Sequence, residues 1–159
     1  MSKNAVNSLI MAHDRAFSFL ERFIDASSDK TWSTRVGGDP AWQHLLHALA
    51  TSEFFLAPKE GGPELPHHFS MEVVMFQACP SAPSRDQLKT VAREARAYTE
   101  KFLHSLSDAE LDSLHEGAGA RMGAPLTNVA LIANLIGHLY YHFGHCDAAL
   151  RDNGEKGLF

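Results

Sequence analysis

The stretch from Leu126 to Leu150 constrains the fold more than any other part of this chain: it is apolar almost throughout, yet it carries three histidines. Its centre reads Gly137-His138-Leu139-Tyr140-Tyr141-His142-Phe143-Gly144-His145. A run of this kind predicts a long helix with much of its circumference covered, in the middle of a helical bundle. Val129, Ile132, Ile136, Leu139, Phe143, Cys146 and Leu150 recur as one row; Leu131, Leu135, His138, His142, His145 and Ala149 form the adjacent row. His138 and His142 therefore stack on one face, one turn apart. Burying such imidazoles unpartnered would cost on the order of a few kcal/mol each. A shared metal ion satisfies both, and four-residue spacing on a helix lets two rings grip one cation. Ala133, Gly137, Gly144 and Ala148 make a third row, small enough for a close helix approach, and this predicts association between copies.

The rest of the chain is ordinary enough to exclude several functions. Its 159 residues fit one domain, 1–159, with 45% hydrophobic and 21% charged residues. A formal charge of −5 and singly scattered Lys and Arg give no basic stripe, so nucleic acid is not an expected partner. No 18 consecutive apolar residues occur, and the start MSKNAVNSLIMAHDR lacks a signal-peptide pattern, so no membrane association is expected. Cys79 and Cys146 are the only thiols, which favours a reducing compartment, the cytoplasm.

Four long helices can be read, with little that reads as strand. The first spans about 4–26, with Val6, Leu9, His13, Ala16, Leu20 and Phe23 on its apolar stripe, and Ser27-Ser28-Asp29 ends it. The second is expected to open at Asp39-Pro40, as N-cap and first helical residue, and to stop before Pro58. Ser84-Arg85-Asp86-Gln87 reads as a capping box for the third helix, which ends near Leu106. Ser107-Asp108-Ala109-Glu110 is a second such box, opening a short helix that Gly117 and Gly119 are expected to end. The fourth is expected to begin near Pro125 and stop at Asn153-Gly154. The proline- and glycine-punctuated connection 57–83 is long, with only Met71 to Phe76 reading as ordered, and is expected to line a pocket over one end of the bundle.

His47, on a row with Ala50, Thr51 and Phe54, can meet His138 and His142 if the second and fourth helices are neighbours. At this point the chain resembles the DinB/YfiT-like superfamily. The phrase AWQHLLHALATSEFFL, with His47, matches the second-helix ligand position; HLYYHFGHCDAALR resembles the pattern His-x-x-x-His-x-Gly-Gln, with His138, His142 and Gly144 at the matching places. His145 stands where the family often has Gln. The resemblance implies an all-α four-helix bundle, a divalent metal (nickel or zinc, with iron as a further option) held by His47, His138 and His142, and a homodimer. It further implies thiol-dependent transferase or isomerase chemistry on a small molecule.

The alternatives are a metal-dependent hydrolase and a non-catalytic metal- or ligand-binding bundle in which His145 fills a fourth position. His145 is expected in the pocket or behind the ligands, and His13 as a satisfied core residue. His44 reads as a partly exposed residue at a helix start; His67, His68, His104 and His115 read as surface or loop. Tyr140 and Tyr141 read as packing residues, Cys146 as inert core and Glu53 as an exposed helix carboxylate. There is no phosphate loop, HExxH, nucleophile elbow or CxxC, and the second and fourth helices lack the Glu-x-x-His pairs of di-iron bundles.

Overall fold

A computed structural model describes residues 2–60 and 69–159. Four long helices dominate: α1 (Asn4–Ala26), α3 (Ala41–Leu56), α5 (Arg85–Ser105) and α7 (Asn128–Asp152). Shorter elements lie between them: α2 (Asp29–Ser33), strands β1 (Arg35–Val36) and β2 (Asp39–Pro40), α4 (Met71–Val74), a 3-10 turn (Asp108–Glu110) and α6 (Glu116–Met122). The fold is all-α, as the periodicity predicts. Each long helix packs on two others: α7 lies between α1 and α3, and α5 closes the ring on the opposite side. Helices α3 and α7 are thus direct neighbours, which a site shared between them requires.

The stripes read from the sequence meet in one core. Phe17, Leu20 and Phe23 from α1 join Leu45, Leu46 and Leu49 from α3, Leu88 and Val91 from α5, and Leu139, Phe143 and Leu150 from α7. The helix ends are closed as their side chains dictate. Ser84 accepts from the Gln87 backbone N–H while the Gln87 side chain accepts from the Ser84 N–H. Thr127 accepts from Ala130 N–H at the start of α7. Lys3 offers no cap to α1; the Asp108 carboxylate does so instead, accepting from Asn4 and Val6 N–H at 2.9 and 3.0 Å.

Several boundaries differ from expectation. Asp39-Pro40 does not open α3, because both residues pair with Arg35 and Val36 in a two-residue hairpin whose turn is Gly37-Gly38. Both glycines have positive φ, 67° and 105°, which this turn demands. Gly117 and Gly119 lie inside α6, and Gly123 ends it at φ 69°. The packing needs the first of them: a Cβ at Gly117 would collide with the backbone of Ala57 and Pro58. Helix α7 starts at Asn128, three residues after Pro125, with Thr127 as its cap.

The row of small residues is met by no helix of this chain among the described residues. Ala133, Gly137 and Gly144 are exposed, and a Cβ at either glycine would meet nothing within 4 Å. They face outward beside Tyr141, which is 63% exposed, so α7 is covered over less of its girth than its composition suggests.

Candidate metal centre

Helix α3 contributes His44 and His47, and α7 contributes His138, His142 and His145; the α3–α7 seam brings all five together. The inner group is His47, His138 and His142, each offering a ring nitrogen within 4.8 Å of the other two. The Nε2 atom of His138 lies 3.0 Å from that of His47 and 3.1 Å from that of His142. Two imidazole nitrogens about 2.0–2.1 Å from a shared ion stand about 3.0–3.4 Å apart, depending on the angle between them. The observed spacings lie at the short end of that range.

The outer nitrogens determine what the inner ones present. His47 Nδ1 is 2.8 Å from the Val74 carbonyl, which can only accept, so the ring carries its proton on Nδ1 and leaves an Nε2 lone pair. His138 Nδ1 lies 3.4 Å from Thr51 Oγ1, whose own hydrogen goes to the His47 carbonyl at 2.6 Å. The hydroxyl therefore accepts from His138, and His138 Nε2 is also bare. His142 Nδ1 lies 3.1 Å from His44 Nδ1. The bare Nε2 atoms of His47 and His138, 3.0 Å apart, repel one another unless a cation lies between them, and the Nε2 of His142 converges on the same point. The donor set fits a borderline divalent metal with nitrogen preference.

Burial holds the rings neutral, as ligands must be. Desolvation pushes His138 down to about 4 and His142 to about 2, and the neighbouring imidazoles push both the same way. His44 and His47 are lowered for the same first reason, opposed in part by their hydrogen bonds to Val36 and Val74. Phe76 covers the group from the returning half of the 57–83 connection, its ring centroid 4.7 Å from His47 and 6.0 Å from His142. Its φ of 59° is unusual for a residue with a side chain. Gln43 anchors the same segment, donating to the Val73 and Ala78 carbonyls at 2.7 and 2.8 Å.

The other histidines sort differently from their sequence reading. His44 is not a partly exposed helix-start residue: it is 5% exposed, hydrogen-bonded to Val36 as well as facing His142. Its spacing of three from His47 was the signal, since residues i and i+3 share a helix face. Phe76 was the second residue missed, and nothing in its local sequence marks it. His145 stays outside the inner group, with its ring stacked on His44 at 4.2 Å and 5°. His13 is 1% exposed on α1 and neither ring nitrogen has a hydrogen-bond partner, so it is core but not satisfied. His115 caps α6 by accepting from Ala118 N–H at 3.0 Å, and His104 is exposed. His67 and His68 lie outside the described residues. Cys146 is buried and its thiol pushed well up by burial, which suits an inert core residue. Tyr140 packs on the core, whereas Tyr141 is exposed with its ring edge-on to His142 and His145. Glu53 is half-buried; the Tyr98 hydroxyl has its pKa raised first by its own burial and then by the Glu53 charge.

Beside the centre lies a cleft of about 250 Å³, walled by Phe55, Met122, Leu126, Leu131, Leu135 and His138, with Asn134 at its rim. Its described wall comes from α3, α6, α7 and the loop before α7, while the described part of the 57–83 connection covers the histidines and residues 61–68 lie outside the described residues. Among the described residues no helix is long and apolar enough to cross a membrane.

No family model and no curated protein matches the chain. Among solved structures, it is similar to a DinB-like protein from Bacillus cereus ATCC 10987, with a TM-score of 0.69 over 96% of this chain and 97% of that one. Sequence identity between the two is 16%. The chain has the DinB-like fold.

Proposed function

We propose that this chain is a divalent-metal-binding protein of the DinB-like kind, and that its metal serves chemistry on a small molecule. The convergence of the Nε2 atoms of His47, His138 and His142, the first two left bare by the hydrogen bonds of their outer nitrogens, carries the reading. Imidazole ligands suit zinc and nickel, and also iron. When bound, such an ion supplies positive charge that favours the deprotonated form of a thiol or water at a remaining open position.

The chain's own residues account for the rest. Val74 and Thr51 hold two of the rings by their outer nitrogens, Phe76 keeps water from one side, and the apolar cleft at His138 receives a hydrocarbon body. We favour thiol-dependent transfer or isomerisation, with a low-molecular-weight thiol as co-substrate; hydrolysis is the competing activity of the same site. A non-catalytic module closed by four ligands would need His145 in the inner group, and its ring lies against His44 instead. The exposed face of α7 around Gly137 and Gly144 is where a homodimer would form, and a reducing cytoplasm suits the free thiols of Cys79 and Cys146.

Elemental analysis of untagged protein tests the site: about one divalent ion per chain in the wild type, and a sharp loss in His142→Ala with helical circular dichroism retained. Equal occupancy in both would remove the assignment. Transfer from a panel of small thiols to an electrophile, abolished by chelation and restored by metal, tests the chemistry.

A further inference from the structure

We infer that His44 is a positioning residue, which fixes the ring of His142 for metal binding through a relay that begins at the Gly37-Gly38 hairpin. The inference rests on the metal reading above. His44 Nε2 lies 2.8 Å from the Val36 carbonyl. A carbonyl offers no proton, so His44 must donate from Nε2, and its neutral ring keeps a lone pair on Nδ1. That lone pair faces His142 Nδ1 at 3.1 Å. His142 therefore donates from Nδ1 and turns an unprotonated Nε2 toward His138. Without His44, the proton of His142 is free to sit on Nε2, which cannot then bind a metal.

The relay is built rigidly. Val36 is the residue whose pairing with Asp39 closes the hairpin, so its carbonyl is aimed by the strand pair and not by a loose loop. On its other side His44 lies flat against His145, 4.2 Å away and 5° from parallel. Gly37 in turn holds His145: a Cβ there would come within 2.9 Å of His145 Cε1, and its φ of 67° already disfavours a side chain. The hairpin thus touches the centre twice, through a carbonyl on His44 and through a glycine on His145. This assigns a task to His145, whose place outside the inner group the metal reading alone leaves unexplained. Groups that orient a metal ligand through its second nitrogen typically alter metal affinity 10–100-fold.

The test uses two substitutions with opposite chemistry. His44→Phe keeps a flat ring for His145 to stack on but removes both hydrogen bonds. His44→Gln offers an amide oxygen to His142 and an amide N–H to Val36, reproducing the acceptor–donor pair of the neutral imidazole. Competition with a chromophoric chelator for Zn2+ should give a dissociation constant about 10–100-fold weaker for the Phe variant, with the Gln variant recovering most of the loss. Long-range 1H–15N spectra of the metal-free wild type should place the His142 proton on Nδ1, with Nε2 gaining population in the Phe variant. Equal zinc affinity in all three proteins, or a His142 proton on Nε2 in the metal-free wild type that still takes up zinc, overturns the inference and leaves the metal centre standing. A wild type that takes up no zinc refutes the metal centre, and this inference falls with it.

Discussion

Along the α3–α7 seam every nitrogen of His44, His47, His138 and His142 faces another polar atom within 3.4 Å. On α1, His13 is buried as deeply, yet neither of its ring nitrogens has a hydrogen-bond partner; the nearest charged group is the Asp14 carboxylate, 3.7 Å away. Its ring sits against Phe17, over which Arg96 of α5 also lies. One seam organises its polar rings and the other merely tolerates one. Burial of a histidine is therefore a poor guide to function; the chain of partners behind it is the useful sign.

The contrast makes predictions that can break it. The largest effect belongs to the hydrocarbon side: Phe17→Ala, at a fully buried position, should cost about 3–5 kcal/mol of stability by urea unfolding. The folded variant should keep its zinc affinity, because the ring partners of Phe17 are His13 and the Arg96 guanidinium, away from the α3–α7 histidines. An affinity loss matching that of a ligand substitution would erase the distinction between the seams.

A smaller effect concerns pH and the polar seam. The folded chain holds His138 and His142 well below the 6.5 of an unfolded histidine. Below about pH 6.5 the unfolded chain takes up protons that the folded chain refuses, so stability is whole above that pH. It falls as pH drops from about 6.5 toward about 4, where the folded chain protonates His138 and that contribution levels off. Urea midpoints of metal-free protein should decline over that window, and decline less in His142→Phe. A flat profile in the wild type would mean the rings are not held neutral.

The smallest effect is on the other histidine. His13→Leu removes two unpartnered nitrogens from the core and should leave stability unchanged or raise it by about 1 kcal/mol, with metal binding unaffected. Destabilisation by more than about 2 kcal/mol would show that His13 has a partner the geometry does not reveal.

Much of this was legible in advance. Helix periodicity located α1, α3, α5 and α7, and the Ser84 box formed as spelled, because these signals act within a few residues. The Ser107 box opens only the 3-10 turn Asp108–Glu110, and α6 starts afresh at Glu116 under its own cap, His115. The i, i+4 spacing put His138 and His142 on one face, but His47 was tied to them only on the condition that its helix be a neighbour, which the resemblance implied and the α3–α7 packing meets. What failed depends on distant chain. Asp39-Pro40 looks like a helix opening until Arg35 and Val36 pair with it, and that pairing supplies the carbonyl that draws His44 inward. Gly117 looks like a helix stop because its reason, the backbone of Ala57 and Pro58, lies some sixty residues away. Phe76 reaches the centre only through the left-handed turn of a connecting segment, which no periodicity encodes.

The most direct test is an anomalous-diffraction map from crystals grown with zinc. The account predicts one peak in the α3–α7 seam, about 2.0–2.1 Å from Nε2 of His47, His138 and His142, with Nδ1 of His142 still turned to His44. A peak bound by other residues, or three rings splayed with no peak between them, would contradict it.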